Sequence, residues 1–582
     1  MVTQEIVESP IWLLFEKGRN FHRMRNVFSD TDRNYRFYNG NQWEGANLGG
    51  VEPVQNNFIK PIVKYKVSVI HDNLYAIVFS SMNFRTREFQ AEAERYCKML
   101  NRYAMRAWEA DKMDKKGRSV TKDAAINDEG ILYIDFDPEK MLPINEVMDK
   151  GDVFYGNEND EDIQSQPYIL IQKRMPQANA LELAHRLGMS ADKDDYLIPD
   201  NDTFEQAGDD AKQEVDDMVT IVYKFYRKNG TVNFSVASRW VTIVEDLDMG
   251  IKLYPLAHMT WEERKGSARG EGEVRHLIPN QIEVNRIEMR RVIAVKQQAF
   301  PQKVADISKI TNPEALDTVG ATIKTQGQTV DDVRKVVGSI PPAQMSTDVA
   351  QLRYDLIQTS RDLAGAGDTA TGQVDPESAS GRAILAVQQA SQAPMTEQKE
   401  SFKAFIEDVA KIWLEYWMVH STEGMDLEEE VTDENGQKSI VVVHLNQKVL
   451  QELQATVKID VTPKSVYDRF AQEQTIENFL INGLFAPERL NELEAYVDAL
   501  DDDSVAPKQK LKEICEKMRQ KQMQIAMIET ETQLMQQRAN QFLMEDPDGQ
   551  ASQMAEAQLQ LMEQGLAEEE AELTEGEDVE EE

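Results

Sequence analysis

Cysteine is scarce. Cys97 and Cys515 are the only two in 582 residues and lie far apart in the chain. That excludes a disulfide framework and any cysteine-rich zinc pattern, and it fits a reducing compartment. No window approaches 18 uninterrupted apolar residues, so no membrane-spanning helix is expected. The first twenty residues carry a short apolar patch without a basic lead, so no signal peptide is read there. Positive charge is in deficit: 64 Lys and Arg stand against 102 Asp and Glu, a formal charge of −38. The chain as a whole therefore lacks the basic footprint of a nucleic-acid binder. Acidity still suits a surface along which DNA slides without gripping, and it equally suits an ordinary soluble protein.

Catalytic patterns are also missing. There is no G-x-x-x-x-G-K-[ST] phosphate loop, no H-E-x-x-H and no G-x-S-x-G. "GAGDTA" (365–370) matches a dinucleotide fingerprint only in its letters, because a helix pattern precedes it and no βαβ unit surrounds it. The seven histidines (His22, His71, His185, His258, His276, His420 and His444) are scattered. "DPDG" (546–549) lacks the rest of a calcium loop and reads as turn chemistry. Adjacent acids at Asp331-Asp332 and Asp501-Asp502-Asp503 read as solvated loop rather than as a nuclease metal site. No catalytic residue, cofactor or metal is expected.

What remains is a mixed α and β pattern, an α+β fold class. Residues 9–39 read as helix, ending at the Asn39-Gly40 cap. A further helix starts near Pro61, and 88–128 forms a long, Ala-rich helical stretch. "ILYIDFD" (131–137) reads as a strand, and 138–262 turns largely β, with Asn229-Gly230 as a hairpin signal. The acidic runs 149–164 and 199–217 read as exposed loops. Residues 269–300 begin Gly-rich and become helix, stopped by Pro301. A small mixed segment follows, then a helix over 346–364 that breaks at Gly365 and Gly367.

From Ala383 helix resumes to about His420. Phe402, Phe405, Ile406, Val409, Ile412, Trp413, Tyr416 and Trp417 keep i, i+3, i+4, i+7 spacing and mark a main strut. Residues 439–445 and 455–463 read as strands, and 466–505 as short helices. From Pro507 the chain is rich in Gln, Met and Glu. Leu511, Ile514, Met518, Ile525, Ile528, Met535 and Phe542 sit near heptad spacing. The last stretch, "AEEEAELTEGEDVEEE", is expected to stay unfolded by self-repulsion.

Several strings in this order resemble the portal proteins of tailed double-stranded DNA bacteriophages, most like those of short-tailed phages. They are "RFYNGNQW" (36–43), "YPLAHMTW" (254–261) followed by "GEGEVRHLIPNQIEVNR" (270–286), and "ESASGRAILAVQQAS" (377–391). The likeness runs from about 20 to 540. It implies a portal fold of wing, stem, clip and crown with a helical C-terminal barrel-like extension.

On this chain the parts fall at 1–268 (wing), 269–300 (descending stem helix), 301–345 (clip), 346–364 (ascending stem helix) and 365–381 (tunnel loop). They continue at 382–465 (long wing helix and β return), 466–506 (crown), 507–566 (barrel-like tail) and 567–582 (acidic tail). The barrel region is short and broken at Pro547–Gly549, a departure from a continuous tube.

The implied role is structural: a homo-oligomeric ring, commonly a dodecamer, at one capsid vertex. It would conduct duplex DNA without sequence specificity during packaging and ejection. Implied partners are the terminase packaging motor, tail adaptor proteins, and the major capsid and scaffolding proteins. The implied place is the virion, with assembly in the host cytoplasm.

Implied channel residues are Gly365, Gly367, Asp368, Thr369, Thr371, Gly372, Gln373, Ser380, Gly381 and Arg382. Glycines there permit flexing without bulky hooks, and Ser380 can cap the next helix. Implied docking residues in the clip are Lys324, Gln326, Gln328, Arg334 and Lys335, and Val333–Pro342 offers strands for pairing between clips. Tyr38 and Trp43 fit interface anchors or internal packing equally. The alternative from another class is a cytoplasmic coiled-coil scaffold or adaptor without a channel.

Overall fold

A computed structural model describes residues 8–47, 52–81, 87–200, 217–299, 302–318, 320–326, 336–340, 346, 348–367, 393–422, 424–432, 438–445, 447–448 and 455–463, with scattered helical positions between 512 and 537. The chain divides into two units, Met1–Thr462 and Pro463–Glu582. The second shows only those helical positions, so the heptad reading falls largely outside the described residues, as do the crown and the acidic tail.

The first unit opens with two helices where one was expected: α1 (Pro10–Met24) and α2 (Val27–Asn39). Ser9 caps α1, its hydroxyl accepting from the Ile11 N–H, with Pro10 at the first helical position. The break falls at Asn26, which adopts a left-handed conformation (φ 58°) that asparagine tolerates better than most residues. Gly40 ends α2 at φ 103°, as the Asn-Gly pair predicts. The stretch from Asn56 to Phe79 is not one helix: α3 (Ile59–Ile70) ends at His71, and strand β1 (Asn73–Ser81) follows.

The long stretch 88–128 is likewise two helices, α4 (Arg87–Ala110) and α5 (Met113–Ile126), separated at left-handed Lys112 (φ 53°). Strand β2 (Glu129–Asp137) then starts two residues earlier than expected. It pairs antiparallel with β3 (Leu142–Met148) on one side and, further on, with β9 (Leu256–Thr260) on the other.

The acidic run 149–164 is exposed at Asn157, Asn159, Glu161 and Asp162, but it is not loop throughout. It contains strand β4 (Val153–Tyr155), all three residues of which are buried. Aromatic and β-branched side chains outweigh the flanking charges there. β4 begins a five-stranded antiparallel sheet continued by β5 (Tyr168–Pro176), β6 (Met218–Lys228), β7 (Thr231–Ala237) and β8 (Thr242–Asp248). Asn229 and Gly230, both at positive φ, turn the β6–β7 hairpin, as predicted. Helix α6 (Gln177–Arg186) interrupts the β-rich region unforeseen, burying Ala180 and Ala184 against this sheet. Of the second acidic run, 201–216 lies outside the described residues, and Asp200 is buried beside Arg174 at 3.0 Å.

Helix α7 (Glu273–Ala299) is buried along its first half, through Met289. From Arg290 on it is half-buried to exposed. Short strands β10 (Lys303–Ala305) and β11 (Val337–Ser339) pair antiparallel within the chain. Helix α8 (Asp348–Leu363) returns, exposed at its start and buried at Ser360.

Helix α9 (Thr396–His420) is the expected strut, and all eight side chains of the predicted stripe are buried. Each is worth roughly 1.5–3 kcal/mol on the scale of area removed from water. Trp413 and Tyr416 also spend their polar ends well, donating to Asn145 Oδ1 and Ile134 O at 3.1 Å each. Strands β12 (Met425–Thr432) and β13 (Lys438–Leu445) form a hairpin, and β14 (Ala455–Pro463) pairs with β1. All registered pairs in the unit are antiparallel and the helices are not crossovers of a parallel sheet, so the class is α+β. Among the described residues no helix is long and apolar enough to cross a membrane.

Candidate functional site: the root and outer half of a helix pair

Helix α7 starts from the segment Arg269–Gly272, and that segment has almost no freedom. A Cβ on Gly272 would sit 2.1 Å from the Asn127 carbonyl oxygen, and one on Gly270 would sit 2.4 Å from the Glu262 oxygen. Both contacts are with backbone, so only glycine lets this lead-in lie against the turn before β2 at Asn127 and the chain just after β9 at Glu262. Arg269 is buried between them and the sheet. Its guanidinium grips both Glu158 oxygens (2.9 and 3.1 Å), pairs with Glu129, donates to the Val153 carbonyl at 3.0 Å and lies 4.9 Å from the Tyr155 ring centroid.

Two histidines that sequence left scattered meet here. His258 Nε2 lies 3.0 Å from Glu129, and His22 Nε2 lies 2.9 Å from Arg269 Nη2. A guanidinium only donates, so that His22 nitrogen accepts and the ring is neutral.

The electrostatics agree with this geometry. Burial, then the Arg269 charge, push His22 down to about 4. Burial alone would raise the Glu129 and Glu158 carboxyls; Arg269 beside them brings each down to about 2, aided by His258 at Glu129. At the first residue of α7, buried Glu273 takes Lys66 at 2.6 Å and the Trp261 indole N–H at 3.4 Å. Among the described residues no group of three or more His, Cys, Asp or Glu is arranged to hold a metal ion. This cluster is a clamp, with every charge met by an opposite charge or a donor.

A second network is made of amides. Gln281 Nε2 donates to the Asn285 Oδ1 (3.0 Å) and to the Asn56 carbonyl (2.8 Å), while its oxygen accepts from Phe58 N–H (3.1 Å). Asn285 Nδ2 donates to Gln42 Oε1 at 2.6 Å, and Gln42 in turn donates to the Phe37 carbonyl. Asn57 Nδ2 donates to the Tyr38 carbonyl at 2.9 Å. Thus "RFYNGNQW" and "PNQIEVNR", more than 230 residues apart, are one structural feature. Nothing local in either string announces this. Tyr38 is buried in the core, and Trp43 is half-buried and donates to the Val54 carbonyl at 3.0 Å, so both serve packing within the chain.

Helix α8 lies antiparallel to α7. Asn280 donates to Ser360 at 2.9 Å near the root, and Glu288 pairs with Arg353 further out, so the contacts run in reverse order. Glu288 also takes Arg291 at 3.1 Å. At and beyond this clasp apolar side chains face solvent: Val295 is 63% exposed, Leu352 51% and Tyr354 58%. Val304, Ile307 and Ile340, around the β10–β11 pair, are likewise exposed.

Of the sequence-predicted channel residues, Gly365 and Gly367 are described. Gly365 turns the chain out of α8 at φ 67°, and a Cβ there would lie 3.7 Å from Pro394. The end of α8 therefore lies beside Pro394, just ahead of α9. Ala366, with Arg353, Ile357 and Arg361, lines a cavity of about 400 Å³ against α3. Asp368, Thr369, Thr371, Gly372, Gln373, Ser380, Gly381 and Arg382 lie outside the described residues, with the whole "ESASGRAILAVQQAS" string.

Of the predicted docking residues, Lys324 and Gln326 are exposed at the side chain and fixed at the backbone. Lys324 N–H donates to Asn312 Oδ1 (2.7 Å), and Gln326 N–H to the Lys309 carbonyl (2.9 Å). Gln328, Arg334 and Lys335 lie outside the described residues. The part of Val333–Pro342 that is described pairs within the chain, as β11 on β10.

The family model described as Phage P22-like portal protein matches residues 19–569. No curated protein matches the chain. The matched span runs from the end of α1 through β14, including both networks and the whole α7–α8 pair, and it agrees with the resemblance carried by the strings joined here. The chain belongs to the phage P22-like portal protein family, a structural family of the phage particle.

Proposed function

We propose that this protein forms a ring at one capsid vertex and serves as the conduit for duplex DNA during packaging and ejection. In this reading α7 is the descending stem helix, 301–345 the clip, α8 the ascending stem helix and 365–381 the tunnel loop. The observation that carries it is the helix pair. Its root is clamped by Arg269, Glu273 and Gln281, while its outer halves expose Val295, Leu352 and Tyr354. A soluble chain gains by covering such side chains, and neighbouring copies around a ring would cover them repeatedly.

The clip, with Lys324 and Gln326 held on a braced backbone, would dock the packaging motor and then the tail adaptors. The motor's ATP hydrolysis belongs to a partner, since the sequence has no phosphate loop. An excess of acid over base suits a channel wall that does not grip DNA.

Negative-stain imaging of the purified full-length chain tests the reading. Rings with a central hole wide enough for a duplex are expected. Single open molecules under assembly conditions, rods, or closed bodies without a passage would overturn it.

A further inference from the structure

A cleft of about 460 Å³ opens beside the root of α7, and its charge runs against that of the chain. Its lining includes six cations, Arg25, Lys150, Arg264, Lys265, Arg269 and Arg275, against three acids, Asp30, Asp128 and Glu158. The chain as a whole carries −38.

The floor is internally neutral: Arg269 is held by Glu158, and Lys150 pairs with Asp128. The excess sits on the rim. Arg25, Arg264, Lys265 and Arg275 are exposed, and none has an ion-pair partner among the described residues. They come from three separate places, the α1–α2 corner, the 264–267 loop and the first turn of α7, so the fold gathers them and no sequence run does.

We propose that this cleft binds phosphate groups. Three of the four rim cations are arginines, whose planar forks match phosphate oxygens in pairs. A net excess of three positive charges suits a multiply charged oxyanion better than a lone carboxylate. The buried Asp128 Oδ1, which has no hydrogen-bond partner, repels an anion from the floor and keeps the ligand at the rim. The chain's net negative charge opposes polyanion binding away from such a gathering of cations. The inference stands on the cleft itself and not on the ring or channel. The phosphates come either from a nucleic-acid backbone or from free polyphosphate.

The test uses the full-length protein and the variant Arg264→Ala/Lys265→Ala/Arg275→Ala, with Lys98→Ala/Lys115→Ala/Arg118→Ala as a control of equal charge change. Two probes are used: sodium tripolyphosphate in a thermal shift against sodium chloride of equal ionic strength, and labelled duplex DNA in anisotropy over a salt series. Tripolyphosphate is expected to raise the melting temperature of the wild type and of the control, but not of the rim variant.

If the backbone of nucleic acid is the source, the rim variant also binds DNA at least tenfold more weakly, and its salt slope falls by about 0.9 for each lost phosphate contact. If free polyphosphate is the source, DNA binding is the same in all three proteins while the tripolyphosphate shift is lost. A rim variant that keeps both responses overturns the proposal. So does the absence of any tripolyphosphate shift in the wild type, or equal displacement by polyglutamate, which would mark an acidic-peptide site. The unliganded melting temperatures of the three proteins, expected to agree, separate loss of binding from loss of fold.

Discussion

The two halves of α7 are built on opposite terms. The first half is buried, and its polar groups are met one by one: Glu273 by Lys66, Gln281 by Asn56 and Phe58, Asn285 by Gln42. The second half is open and presents valine, with leucine and tyrosine from α8 beside it. Fully matched buried networks fix one arrangement, because every alternative strands a donor or a charge. Exposed apolar side chains fix nothing within a single copy. The contrast therefore separates the part of this helix that the chain orients for itself from the part left for contacts outside it.

The sharpest way to break the contrast is at Arg269. Arg269→Met leaves Glu129 and Glu158 buried without their cation, and a loss of about 3–5 kcal/mol is expected. Chemical denaturation would show it as a lower midpoint, or the chain would fail to accumulate in soluble form. Glu129→Ala acts from the other side of the same pair with a similar effect.

Next in size is the amide network. Gln281→Leu strands the Phe58 N–H, and Asn285→Leu strands the amide of Gln42, with about 1–3 kcal/mol expected for each. The double substitution should cost less than the sum of the two, since Gln281 and Asn285 are bonded to each other.

The clamp also predicts a pH dependence. His22 is neutral in the fold, at about 4 against an ordinary 6.5, so the unfolded chain binds the extra proton between those values. Stability from this residue is full above 6.5, falls as pH drops towards 4, and changes no further below. Asp123, which accepts from Tyr35 at 2.6 Å, runs the other way: burial raises it to about 6 against 3.8. Its contribution is full below 3.8 and is lost as pH rises through 6. Glu129 and Glu158 add stability above 4.5 that disappears towards pH 2. Melting curves of His22→Gln, which keeps an acceptor for Arg269, should be flatter than wild type between pH 6.5 and 4. A parallel pair of curves would remove His22 from the account.

The smallest effect on stability belongs to the outer half. Val295→Ser/Leu352→Ser/Tyr354→Ser should move the stability of a single copy by no more than about 0.5 kcal/mol per site. Its assembly, followed by light scattering, should fall sharply. A variant that assembles like wild type would show that these side chains face nothing in the particle.

The sequence was legible where one physical signal acted alone. The α9 stripe was plain because eight large apolar residues kept one period with no competing charge. The β6–β7 turn was plain because Asn229-Gly230 suits two successive positive φ angles. Signals failed where burial and charge shared a segment. β4 is three residues long inside an acidic run. β12 alternates Met425 and Leu427 with outward acids for barely two repeats, then runs into glutamates. The breaks at Asn26 and Lys112 are left-handed single residues without glycine to mark them. The clamp and the amide network were out of reach for a different reason. Their members are ordinary residues one by one, and only the closing of distant segments onto one another makes them a site. The Gly270 and Gly272 pair was visible as a Gly-rich lead-in, but not the two carbonyls that forbid a side chain there.

One consequence of α7 is mechanical. Its 27 residues span about 40 Å at 1.5 Å each. A sideways load on the outer tip is thus delivered, as on a lever, to the few residues seated in the body. Pro279 sits inside that seat, and its missing N–H leaves the Arg275 carbonyl without the usual bond. The fulcrum of the lever is therefore also its softest point, with Lys66–Glu273 on one side of it and Gln281 on the other.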